Sequence, residues 1–267
     1  MSLIKIKNQR NLGALFHYAH FITDCLFVEV INEVYKYDQV IREKNIDQTL
    51  GNFYKIYEEV MQMKNIELNK QDFDKINKDV IMYDKREVYA NKYNFDKFRT
   101  YIFSRYNINF LIYDLNYPEV LLIKRGHVID LIDDTVLKQE NNNIKNGINR
   151  GDINDIDCVE EHLKKKYNNK FNSIFLENMP FVEQVKYFLN AKIIICFHGA
   201  CMANLLFCKK NVTKVIEIAR FEKNHPQFEK NKYAFVSNVI PKVLNLQHHK
   251  CSNNNLNDVI NFIDIHT

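Results

Sequence analysis

Hydrophobic residues are densest at 14–37, ALFHYAHFITDCLFVEVINEVYKY, where Phe21, Cys25, Val28 and Ile31 recur at helical spacing. Asp24, Glu29 and Glu33 lie off that face, so the segment predicts a largely buried helix. Residues 38–77 read as mixed helix and loop with a face of Lys, Glu and Asp. DVIMY at 79–83 predicts a short strand. Residues 94–106 predict an amphipathic helix capped by Asn94 or Asp96.

The rhythm changes after residue 118. EVLLIK at 119–124, KIIICF at 192–197 and TKVIEI at 213–218 predict buried strands, with another at 172–176. Helices are expected at 156–166, 181–189, 200–207 and 255–265, the last packing back toward the first domain. The polar stretch 133–157 reads as a loop or insertion. Strands apolar on both faces, alternating with helices, predict a parallel α/β sheet that binds ligands at its strands' carboxyl ends. Leu115-Asn116-Tyr117-Pro118 breaks the helical pattern and sets a boundary between domains 1–117 and 118–267.

Composition narrows the function classes. Hydrophobic residues make up 46% of the 267, with only 6 Gly and 4 Pro, so the chain builds a core and is not a linker. Lys+Arg 37 against Asp+Glu 33 leaves a net charge of +4. That is too mild for a dedicated nucleic-acid binder and suits an anionic small ligand. None of the six cysteines sits in a C-x-x-C pair, which excludes a disulfide framework and a zinc-ligand spacing. No apolar run reaches the ~18 residues of a membrane span. The opening MSLIKIKNQRNLG lacks the apolar core of a secretion signal, so reduced thiols and a cytoplasmic location are expected.

Three clusters can carry chemistry. His198-Gly199-Ala200, with Asn204, follows a buried strand and opens a helix, whose first N–H groups can meet an anion. Glu183 and Gln184 fall in the first turn of the 181–189 helix, where a carboxylate is also favoured simply by the helix dipole. Arg125 follows the 119–124 strand directly and Arg150 comes further on; a guanidinium there can hold phosphate in a fork. On spacing alone, a tight turn, a dipole charge and surface arginines account for the same residues.

Together these elements resemble the C-terminal half of glycosyltransferase family 61. The pattern is an Arg after a strand, a second Arg, an Glu-Gln helix, Ala-x-(aliphatic)-HGA-x-x-x-N, and V-(aliphatic)-E. Here it reads Arg125, Arg150, Glu183-Gln184, Ala191, His198-Gly199-Ala200, Asn204 and Glu217. FHYAHFITD, through His20 and Asp24, and KFRTYIFSRY at 97–106 are similar to segments of the family's first half.

The resemblance implies a GT-B-like α/β fold, two Rossmann-like domains with a cleft between them, with the N-terminal domain shortened here. It implies an inverting, metal-independent transfer of a sugar, xylose or N-acetylglucosamine, from a UDP-sugar to a hydroxyl of a glycan or glycoprotein acceptor. No cofactor is implied. Arg125, Arg150, Glu183, Gln184, His198, Gly199, Ala200, Asn204 and Glu217 then form the donor-nucleotide site, with Glu217 facing ribose hydroxyls. The base for the acceptor hydroxyl is expected from Asp24 or His20, with His17 as a third candidate. Two rivals stand beside this: a metal-dependent enzyme using Asp155-Ile156-Asp157, and a non-catalytic nucleotide- or sugar-binding module.

Overall fold

Residues 38–77 hold the expected helices, Tyr54–Met61 and Lys70–Lys75, but more than helix and loop. They contain two strands, β2 (Gln39–Glu43) and β3 (Lys64–Leu68), which join β1 (Leu3–Ile6) and β4 (Val80–Ile81) in a parallel sheet ordered β3-β2-β1-β4. The computed structural model describes residues 2–7, 18–43, 50–77, 80–81, 88–89, 91–125, 156–177, 179–219, 235–252 and 255–267. His17, Arg150, Asp155 and the polar stretch up to residue 155 lie outside them.

The two strands escape the hydrophobic pattern because charge is buried inside them. Arg42 on β2 is almost fully buried, as are Glu29, Tyr57 and Asn65 around it. Its Nη2 pairs with Glu29 and its Nε donates to Asn65 Oδ1 at 2.9 Å, while Tyr57 donates to Glu29 Oε2 at 2.7 Å. A buried ion is tolerated only when its hydrogen-bonding capacity is met in this way.

The expected helix at 14–37 is seen from Tyr18 to Ile31 as one helix, α1, formed of Tyr18–His20, Phe21–Leu26 and Phe27–Ile31. Its middle part is π-helical: the Phe27 N–H bonds the Ile22 carbonyl, five residues back. Thr23 Oγ1 donates to the Ala19 carbonyl at 2.8 Å, an insertion into the helical ladder of the kind that widens a turn. All six side chains of the widened part are buried. Helix α2 (Tyr54–Met61) and α3 (Lys70–Lys75) flank β3. Helix α4 (Lys92–Arg105) packs on α1, with Phe27 against Phe95 and Phe98 at ring distances of 5.1 and 4.9 Å. It starts two residues before the predicted position: the cap is Asn91, whose side chain accepts from Tyr93 N, not Asn94 or Asp96.

The described residues fall into two units, the first ending at Asn107 and the second beginning at Ile108. Residues 108–117 are tied to the second: Asp114 N donates to Asn190 Oδ1 at 2.7 Å and Tyr117 OH to Glu183 Oε2 at 2.7 Å. Among the described residues no single sheet runs through both.

The second sheet is parallel throughout and ordered β6-β5-β7-β8-β9. Its strands are β5 (Val120–Lys124), β6 (Phe171–Phe175), β7 (Ile193–Phe197), β8 (Lys214–Ala219) and β9 (Gln247–Ser252). Four follow the predicted runs; β9 was hidden by its two His and one Lys. Alternation sends Val120, Leu122, Ile195, Phe197, Ile216 and Ile218 to one face, where α5 (Ile156–Tyr167) and α8 (Leu256–His266) cover them with Val159, Leu163, Val259 and Ile263. The buried face of the closing helix α8 is spent on the second sheet. Fully burying such an aliphatic side chain stabilises by ~1.5–3 kcal/mol, so this layer fixes the sheet. Helix α6 (Phe181–Asn190) precedes β7, and the predicted helix after β7 is a 3-10 helix, Ala200–Phe207. A short helix α7 (Ile240–Val243) leads into β9.

Candidate active site

An open parallel sheet binds ligands where its strand order reverses, at the carboxyl ends of the strands. The order β6-β5-β7-β8-β9 puts that reversal between β5 and β7. Arg125 is the residue after β5 and His198 the residue after β7, so the two come together there. Arg125 Nη2 donates to the His198 carbonyl at 2.6 Å, and its guanidinium lies 5.3 Å from the Phe197 ring. The His198 N–H in turn donates to the Ile218 carbonyl at 2.8 Å, extending the β7–β8 ladder past the strand. Gly199 adopts fully extended backbone, φ 168° and ψ −163°. A Cβ there would meet Arg125 Nη2 at 3.6 Å, an ordinary contact. Ala200 then opens the 3-10 helix, whose first N–H groups have no helical acceptor.

Glu217 on β8 is completely buried. Both carboxylate oxygens are engaged: Oε1 with His198 Nδ1 at 2.6 Å, Oε2 with His248 Nε2 at 2.8 Å. Lys250 Nζ stands 3.6 Å from Oε1. Burial alone would favour the neutral acid, but the two imidazole hydrogen bonds and the charges of His198 and Lys250 hold the carboxyl at about 2. Glu217, expected to face ribose, thus turns to imidazoles and an ammonium. His248 and Lys250 were missed because they sit on the strand the sequence did not reveal. Their only signal is the alternation in QHHKCS, which sets both on one face opposite Cys251.

Asn204 and Gln184 are buried and paired, Asn204 Nδ2 donating to Gln184 Oε1 at 2.9 Å. Gln184 Nε2 donates on to the Met179 carbonyl at 3.0 Å, so the HGA-x-x-x-N and Glu-Gln segments are pinned together. Glu183 points elsewhere: it accepts from Tyr117 and, at 2.9 Å, from Lys186 Nζ. Those hydrogen bonds, Lys186 first, draw its carboxyl below the ordinary value.

In the first unit the strand order β3-β2-β1-β4 reverses between β1 and β4. Helix α1 comes after β1 and Tyr89 after β4, and they meet at Asp24. His20 Nδ1 lies 2.9 Å from Asp24 Oδ2, while the hydroxyls of Tyr89 and Thr23 stand 3.0 and 3.1 Å from Asp24 Oδ1, each with one proton shared between that oxygen and a backbone carbonyl, Thr23 for Tyr89 and Ala19 for Thr23. Asp24 is 6% exposed and His20 44%. Burial first, then the charge of Asp24, push the Tyr89 phenol well above its ordinary value, so it stays protonated as a donor. The π-helical part carries Asp24; such widened turns recur at functional sites. Tyr89 carries no sequence signal, being 65 residues from its partner.

Among the described residues no group of three His, Cys, Asp or Glu is placed to hold a metal ion. Asp157 stands in the first turn of α5, a position that favours acids. Among the same residues no helix is long and apolar enough to cross a membrane.

No curated protein matches the chain significantly. A family model, Glycosyltransferase 61, matches residues 18–216, which takes in α1 with His20 and Asp24, Arg125, and the His198 turn. It stops one residue before Glu217, so β9 with His248 and Lys250 lies beyond it. With most of its length matched, from the first carboxylate cluster to the strand beside the second, the chain belongs to glycosyltransferase family 61.

Proposed function

We propose that this glycosyltransferase moves xylose or N-acetylglucosamine from a UDP-sugar to a hydroxyl of a glycan or glycoprotein, inverting the anomeric carbon without a metal. The observation that carries the reading is the meeting of Arg125 and His198 at the β5–β7 reversal, with His198 backed by the buried Glu217. As the sugar departs, charge grows on the diphosphate, and fixed donors in a sheltered site stabilise that growth. Arg125, His198 and the N–H groups around Gly199 and Ala200 supply them. Asn204 and Gln184 hold the turn in place from below, and Glu217 acts through His198.

The acceptor side is assigned to the first unit in a GT-B arrangement. Asp24, oriented by His20 and Tyr89, takes the proton of the attacking hydroxyl. Arg150 and His17 keep their proposed places, as donor contact and third candidate base. Glu183 keeps its place on the donor side. All six cysteines are free thiols, one of them exposed, which supports work in a reducing cytoplasm.

Release of UDP from UDP-xylose and UDP-N-acetylglucosamine, measured with and without EDTA and acceptor glycans, tests this. Turnover that survives EDTA is expected. Turnover abolished by EDTA would return the metal to the Asp-x-Asp reading, and binding without turnover would leave a binding module.

A further inference from the structure

The model match that shows the family ends before Glu217. What lies past it is a carboxylate shared by two imidazoles. Glu217 is wholly buried and ionised at neutral pH, so each of its oxygens only accepts hydrogen bonds. The proton between Glu217 Oε1 and His198 therefore sits on Nδ1, and the proton between Oε2 and His248 on Nε2. The nitrogens left over are His198 Nε2 and His248 Nδ1, and neither has a partner among the described residues. Both side chains keep some surface, 19% and 16%.

We infer that Glu217 is a positioning residue that holds His198 with its proton on Nδ1 and His248 with its proton on Nε2, and that His248 fixes the carboxylate so that His198 Nε2 faces the diphosphate, where it takes a proton from solvent and donates it to the anion as an imidazolium. This rests on the donor-site reading above only for the identity of the anion. The charged neighbours fit the role. Lys250 from β9 stands beside Oε1, and Arg125, after β5, holds the His198 carbonyl. Among the described residues the thiols of Cys196 on β7 and, beside it, Cys201 in the 3-10 helix and Cys208 also lie close by; the Cys196 thiol, hydrogen-bonded to Cys201 and buried, is pushed well up and stays neutral. A carboxylate offered to only one imidazole could rotate away from it; a second donor on the other oxygen removes that freedom.

Glutamine cannot do the same work. Its carbonyl accepts from one imidazole, but its amide donates to the other, which must then surrender its proton and change tautomer. In Glu217→Gln, UDP affinity is expected to fall about tenfold or more, as a charged hydrogen-bonding partner is lost. His248→Ala should weaken UDP by a smaller factor, and His248→Gln, whose amide can still donate to Oε2, should restore most of it.

The experiment needs no variant to decide the core of the inference. Two-bond proton–nitrogen correlation spectra of the full chain, labelled with 15N-histidine, report the tautomer of each ring above its titration. Nδ1–H at His198 and Nε2–H at His248 are expected, and either ring in the other form overturns the inference. UDP titration of the three variants tests the second half. Glu217→Gln or His248→Ala binding like the parent, or His248→Gln no better than His248→Ala, would overturn it. A parent that does not bind UDP sinks the donor reading instead, and the tautomers still decide the arrangement around Glu217.

Discussion

Arg125 Nη2 donates to the carbonyl of His198 at 2.6 Å, so the side chain that ends one strand holds the backbone that ends its neighbour. The same guanidinium that would meet a phosphate thus also shapes the turn beside it. A guanidinium can serve both partners because its five donors fan out in a plane, whereas an ammonium is a point charge.

Arg125→Ala should therefore weaken UDP binding by about 10- to 100-fold, the worth of a charged hydrogen bond in a sheltered site. Arg125→Lys should recover less than half of that loss on a logarithmic scale, since one ammonium cannot reproduce the fork. Calorimetric titration with UDP measures both. An Arg125→Ala protein that binds UDP like the parent would move the diphosphate away from this turn.

Glu217 makes an acid-sensitive contribution to stability. Its folded value of about 2 lies below that of an ordinary carboxyl, so its stabilisation is full above about pH 4.5 and is lost as pH falls toward 2. The difference between the two values corresponds to about 3 kcal/mol. Urea unfolding from pH 2 to 7 should show Glu217→Gln well below the parent at pH 6 and close to it near pH 2. A gap of constant size across that range would mean that the carboxylate's charge is not what stabilises the fold.

The buried pair in the first unit should behave differently. Removing Arg42 alone strands Glu29 in a dry core, and Arg42→Ala should cost ~3–5 kcal/mol. Arg42→Met combined with Glu29→Gln leaves no unpaired ion and should cost less than the two single changes added together. Chemical denaturation of the four proteins checks this double-mutant cycle. Simple additivity would mean that the pair is not coupled.

These two carboxylates also explain what the sequence could and could not reveal. Strands β5, β7 and β8 are apolar on both faces, so periodicity finds them, and the HGA and Arg125 positions follow from where they end. Strand β2 buries Arg42 and strand β9 half-buries His248 and Lys250, and a polar residue in a short run reads as loop. Each is tolerated there because a carboxylate from elsewhere, Glu29 or Glu217, meets it, 13 residues away for Arg42 and 31 for His248. Pairing at that distance leaves no periodic trace. The His20–Asp24 contact was legible because it spans one helical turn. The widening of that turn was not, because it depends on which backbone carbonyl each N–H chooses.

Asp24 gives the sharpest test of the chemistry. Displacement at the anomeric carbon makes the acceptor hydroxyl acidic only as it attacks, so a base must already be in place. Asp24 is 6% exposed, with the hydroxyls of Tyr89 and Thr23 beside one oxygen and His20 beside the other. That arrangement fixes the carboxylate's direction. Asp24→Asn keeps the size and one acceptor oxygen but cannot take a proton. Transfer to the acceptor should fall by ~10²–10⁴-fold. UDP affinity should stay within a factor of two or so, about 0.4 kcal/mol, because the proposed donor groups all lie in the second unit. Tyr89→Phe, which removes one orienting hydroxyl but not the base, should lower transfer by a smaller factor with the same UDP affinity. The ordering separates a base from a packing residue. If Asp24→Asn transfers sugar at near-parent rates, proton removal belongs to another group. If both variants instead lose their cooperative unfolding transition, Asp24 and Tyr89 hold α1 and do no chemistry.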